Sequence, residues 1–150
     1  MKELLLAALI FVVGYTTVIT LNVPEDGEFE NNARQTFKMI NQERQAQGRA
    51  PLIWDAELET LALKHSQFMA DSENLTHSSY NLVENVAKGT GNPQTLFELW
   101  QSSPSHYSNM IYPYIKYGAV AIALKRTDIN ISDWTITIGF SHRYATFLAR

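Results

Sequence analysis

Residues 4–21, LLLAALIFVVGYTTVITL, run eighteen positions without a charge, and no other feature restricts the chain as much. A stretch of that length is near the minimum for a helix that crosses a bilayer, and long for the apolar core of a cleaved leader. An N-terminal hydrophobic helix is therefore expected, with residues 1–21 acting as a signal anchor or a signal peptide. Lys2 precedes the run, and Glu25, Asp26, Glu28 and Glu30 follow it, which suits a following domain held outside the cytoplasm. The best small-x-small cleavage site, Val18-x-Thr20, is a poor one, so an uncleaved anchor is favoured.

Residues 22–31 combine Pro24, Gly27 and acids and read as a linker, which leaves residues 32–143 for one domain and 144–150 for a C-terminal tail. That domain is long enough to bury a core without covalent staples. None are available, because the chain has no cysteine. Disulfides, thiolate metal sites and a cysteine nucleophile are thereby excluded. A net charge of −3 with no clustered basic surface argues against a nucleic-acid partner.

Three helices and two strands are legible. Residues 31–47 place Ala33, Phe37, Ile40 and Arg44 on one stripe, with Gly48 as a stop. Asp55 can cap a second helix whose inner face carries Leu58, Leu61, Ala62, Phe68 and Met69. Asn92-Pro93 opens a third, with Leu96, Phe97 and Trp100 inside. Gly118 to Leu124 alternates bulky residues with Ala119, Ala121 and Ala123, and Trp134 to Phe140 alternates with the same period. The two strands are expected to form an antiparallel hairpin, giving an α+β layered domain.

Of the four histidines, His65 lies on the apolar face of the second helix and reads as a packed residue with one hydrogen bond. His142 ends the last strand and reads as surface or structural. His77 and His106 stand in loop-like, serine-rich contexts, where functional side chains concentrate. Two imidazoles with a carboxylate and water could make an open metal site, although no local spacing links the two, and scattered surface histidines are the alternative. Glu84 interrupts the apolar run Leu82 to Ala87 and is either buried and paired or aimed into a cleft; Glu98 is expected to face solvent. A serine triad is unsupported, because no G-x-S-x-G turn is present.

Taken in order, Ile40 to Arg44, Leu52 to Leu58, Leu61 to Ser66, Thr76-His77-Ser78, Glu84-Asn85-Val86-Ala87, Trp100 to His106, Tyr117 to Val120 and Trp134 to Phe140 resemble the CAP superfamily. That superfamily comprises cysteine-rich secretory, antigen 5 and pathogenesis-related 1 proteins. The match spans roughly residues 33–142 and is similar to the cysteine-free bacterial branch. The resemblance implies a three-layer α–β–α sandwich with a small antiparallel sheet (the SCP domain) and a cleft of two histidines and two acids that binds a divalent metal, usually zinc, in several members. His77 and His106 correspond to the two histidines and Glu84 to the first acid. The second acid is replaced by Ser103, and Val83 and Ser105 stand where glycine is usual.

Three functions follow from the resemblance. The first, which is favoured, is an extracytoplasmic module that coordinates a metal through His77 and His106 and recognises a lipid, glycan or protein ligand. The second is a metal-dependent, peptidase-like hydrolase with Glu84 as base. The third is a non-catalytic interaction domain displayed from the membrane by residues 4–21. Tyr107, Tyr112, Tyr114 and Tyr117 could line an apolar groove, packing beneath a loop being the simpler reading.

Overall fold

The structure, a computed structural model, describes residues 5–12, 15–22, 26–89, 92–124, 130–132, 135–137 and 143–150. Strands β1 (Leu5–Val12) and β2 (Tyr15–Asn22) pair antiparallel. The expected N-terminal hydrophobic helix is thus replaced by a hairpin. Ile10, Val12, Thr16, Thr17, Val18, Ile19 and Thr20 are β-branched, and their preference for extended backbone accounts for the difference. Among the described residues no helix is long and apolar enough to cross a membrane.

Helix α1 (Asp26–Ala46) begins within the stretch read as a linker. Glu28 and Glu30 in its first turns favour this longer helix, because carboxylates stabilise the positive end of the helix dipole. It stops at Gly48, whose φ of 68° is a conformation that glycine adopts without steric cost. After β3 (Ile53–Trp54), helix α2 (Ala56–Ser72) starts where Asp55 accepts hydrogen bonds from the amides of Glu57 and Leu58. Phe68, expected inside, is instead exposed, and His65 and Ser66 occupy the buried face with Leu58, Ala62, Met69 and Ala70.

Next come β4 (Val83–Gly89), α3 (Pro93–Gln101) capped by Asn92, and α4 (Pro104–Met110). The loop expected around His106 is therefore a short helix, started by Pro104 in its first turn. Strand β5 (Tyr117–Leu124) lies where the alternation put it. Its hairpin partner does not. Thr135–Thr137 (β7) pairs with Asn130–Ser132 (β6) in a separate two-stranded ribbon, and β5 pairs instead with β8 (Arg143–Ala149). Trp134, Phe140 and His142 lie outside the described residues. The presumed tail 144–150 thus supplies an interior strand of the main sheet, whose order is β3-β5-β8-β4. That sheet is antiparallel apart from the two-residue parallel pairing of β3 with β5.

Both faces of the sheet are covered, which gives the three-layer α–β–α sandwich. On one side Ala33, Phe37 and Ile40 of α1 and Leu96, Phe97 and Trp100 of α3 pack on Val120, Ile122, Ala145 and Phe147. On the other, Leu58 and Ala62 of α2 meet Ala119, Ala121 and Leu148. The alternation of bulky and small residues along β5 explains the asymmetry: the alanine face lets α2 approach closely, and the Val and Ile face fills the wider gap to α1 and α3. Gly118 is needed for close approach. A Cβ there would lie 3.0 Å from Leu52 and 3.3 Å from the carbonyl of Leu148.

Candidate functional site

The segment from Glu73 to Leu82 connects α2 to the sheet and carries His77. Glu84, two residues into β4, turns its carboxylate back under that connection. Its side chain is only 8% exposed, and its Oε1 accepts hydrogen bonds from His77 Nδ1 at 2.6 Å and from the Ser78 amide at 3.0 Å. One carboxylate oxygen thereby fixes both the ring and the backbone of the histidine segment. Glu84 Oε2 is buried with no hydrogen-bond partner among the described residues. An acceptor in that condition marks a place for a water or a bound group.

His106 reaches the same region on α4. Two asparagines hold that helix against β4. Asn85 Nδ2 donates to the His106 carbonyl at 2.9 Å, and Asn109 Nδ2 donates to the Glu84 carbonyl at 3.1 Å and to Asn85 Oδ1 at 2.9 Å. The His106 pKa is lowered from 6.5 by burial and, secondly, by the nearby charge of His77. His77, Glu84 and His106 are thus brought into one neighbourhood from three separate stretches of chain. Ser103 stands at the N-terminal end of α4, its hydroxyl directed to Ser105 at 3.3 Å.

Several other residues find plain structural duties. His65 is buried, and its Nε2 donates to the Thr76 carbonyl at 2.8 Å. Glu98 is exposed and bonds Gln94. Val83 and Ser105 lie in a regular strand and a regular helix, so the absence of glycine there costs no backbone strain. Tyr117 packs in the α2 layer and the Tyr107 hydroxyl donates to Glu43, while Tyr112 and Tyr114 form an exposed edge-to-face pair. The four tyrosines do not line one groove. A shallow, mainly apolar notch opens near Gly89 and Leu99, at the far end of the sheet, and contains none of the candidate residues.

Among the described residues no group of three or more His, Cys, Asp or Glu side chains is arranged to hold a metal. What the site offers is two imidazoles, one of them braced by a buried carboxylate. A divalent metal there would have the two imidazoles as its protein donors, with water or ligand completing its shell. Asn85, Asn109 and Ser78 were not legible as parts of the site. Asn85 alone gave a signal, a second polar residue in the apolar run that holds Glu84.

The family model described as the cysteine-rich secretory protein family (CAP) matches residues 37–137. The uncharacterized protein YkwD of Bacillus subtilis (strain 168) is 29% identical over 112 residues, covering 58% of this chain and 44% of that protein. An extracellular protein containing an SCP domain from Bacillus anthracis superposes with a TM-score of 0.62 at 17% identity, covering 90% of this chain and 47% of that one. An outer surface protein of Borrelia burgdorferi gives a TM-score of 0.60 at 14% identity, with coverage of 81% and 93%. The chain spans less than half the length of the two Bacillus proteins, and at these identities the two solved structures bear on fold alone. Both of those neighbours are extracellular or surface proteins. Because the family model matches about two thirds of the chain, this chain belongs to the cysteine-rich secretory protein (CAP) family.

Proposed function

We propose that this chain is an extracytoplasmic binding module in which His77 and His106 hold a divalent metal, zinc by preference, and which recognises a lipid, glycan or protein ligand at that cleft. The observation that carries the reading is the 2.6 Å hydrogen bond from His77 Nδ1 to the buried Glu84 carboxylate. Metal-binding histidines commonly give one ring N–H to a carboxylate, which leaves the other nitrogen for the ion. The lowered pKa of His106 supports the same reading, because neutral imidazole is the ligating form. A metal bound there would polarise an oxygen of the ligand or of water. A peptidase-like hydrolase built from the same residues is the second reading, with Glu84 as its base through Oε2, because Oε1 is shared between His77 and Ser78.

The extracellular and surface character of the two solved neighbours supports the extracytoplasmic part, and the fold adds a separation between the site and the start of α1. Val83, Gly118 and Ala149 pair at one end of the sheet, where Glu84 lies. At the other end Arg143 meets Glu28 at 3.8 Å and lies over the Phe29 ring, near the start of α1. Seven strand residues at about 3.3 Å each separate these ends by roughly 20 Å. A chain tethered through residues 4–21 would hold the cleft away from its membrane.

Calorimetric titration of the chain with zinc tests the proposal. Binding at one equivalent is expected, with affinity at least about tenfold weaker in His77→Ala and in His106→Ala. No heat of binding, or the same heat in both variants, would remove the metal from the account.

A further inference from the structure

His65 is separated from His77 by twelve positions and sits on a different element, yet it acts on the peptide next to it. Its Nε2 donates to the Thr76 carbonyl at 2.8 Å, and that carbonyl belongs to the peptide bond joining Thr76 to His77. A carbonyl only accepts, so Nε2 carries the proton. The ring is itself immobilised: it is 6% exposed, stacks near Phe68 at 6.2 Å and meets the edge of Tyr80 at 6.4 Å. On the other side of His77, the Ser78 amide donates to Glu84 Oε1 at 3.0 Å. The backbone of His77 is therefore pinned on both flanks, by α2 through His65 and by β4 through Glu84.

The connection that carries His77 has no helix or strand ladder of its own between Glu73 and Leu82. Its backbone geometry accordingly depends on such side-chain anchors. We infer that His65 is a positioning residue, which sets the backbone of the Thr76–His77 peptide so that the imidazole of His77 meets Glu84 and faces His106. The inference rests on the reading of His77 as a ligand, but its local part concerns the geometry of the segment alone. A buried histidine on an apolar helix face thereby acts on the site without touching it.

The test uses the full chain with His65→Leu, which removes the donor, and His65→Gln, which keeps an N–H of similar reach. His65→Met fills the same space with a more adaptable side chain and replaces the leucine variant if that does not fold. Zinc affinity is expected to fall about tenfold in the apolar variant and to return to within about threefold of the parent in His65→Gln. Hydrogen exchange of the Ser78 amide is expected to accelerate about tenfold in the apolar variant and to stay near the parent rate in His65→Gln. A lower melting temperature with unchanged zinc affinity and unchanged Ser78 exchange would overturn the inference. If the parent binds no zinc, the metal reading fails by itself, and the Ser78 exchange still decides whether His65 orders the segment.

Discussion

Arg44 shares a helix stripe with Ala33, Phe37 and Ile40, and all four are buried. The stripe was legible from helical spacing; the reason for a guanidinium on it was not. Its Nε donates to the Ala50 carbonyl and its Nη1 to the carbonyls of Met110 and Tyr112, at 2.8–2.9 Å, contacts that join α1 to the turn after α4. Partners 66 and 68 positions away leave no mark in local sequence. Burial, with Arg49 nearby, lowers the Arg44 pKa, yet the carbonyls satisfy the charge. Arg44→Met is expected to cost about 3 kcal/mol in urea unfolding, because several buried carbonyls lose their donor; a loss below about 1 kcal/mol would contradict this role. His106 yields a pH prediction with a definite sign. Its folded pKa lies below 6.5, so the unfolded chain takes up this proton at higher pH than the folded chain does. The contribution is present above pH 6.5 and is lost as pH falls from there through the folded value. Urea midpoints measured from pH 8 to pH 5 should decline less in His106→Gln than in the parent. Equal declines would assign the pH dependence elsewhere.

Elements were legible where periodicity and caps agreed. Asp55 and Asn92 cap α2 and α3 as their sequence contexts indicate, and the alternation of β5 marks both its span and its two faces. The partner of β5 was not legible, because Trp134 to Phe140 alternates cleanly whereas Arg143 to Ala149 does not alternate at all, and periodicity therefore pointed to the wrong segment. Strand β8 reads as a near-continuous apolar run because it is covered on both faces, with Tyr144 and Leu148 toward α2 and Ala145 and Phe147 toward α1 and α3. It pairs with β5 on one side and β4 on the other. Deleting residues 144–150 should therefore abolish cooperative unfolding, as followed by circular dichroism against urea, whereas removal of a true tail would leave the midpoint unchanged. Helix α4 was missed for a different reason. Seven residues from Pro104, two of them serine, carry too little apolar pattern to announce a helix, and its place depends on Asn85 and Asn109 holding it to β4.

At the scale of the molecule, the layers explain why residues distant in sequence meet. Sheet order β3-β5-β8-β4 puts β4 at an edge, where the α2–β4 connection and α4 both reach it. Motif order along the chain showed which histidines and which acid to watch; their joint placement comes from the sheet topology, which local sequence does not encode. The central claim is that His77 and His106 act together beside Glu84. Anomalous diffraction from zinc-loaded crystals of the chain tests it directly. The account predicts one principal zinc peak with a ring nitrogen of each histidine at about 2.1 Å and Glu84 still bonded to His77 Nδ1. A principal peak bound by other residues, or by only one of the two rings, would contradict it.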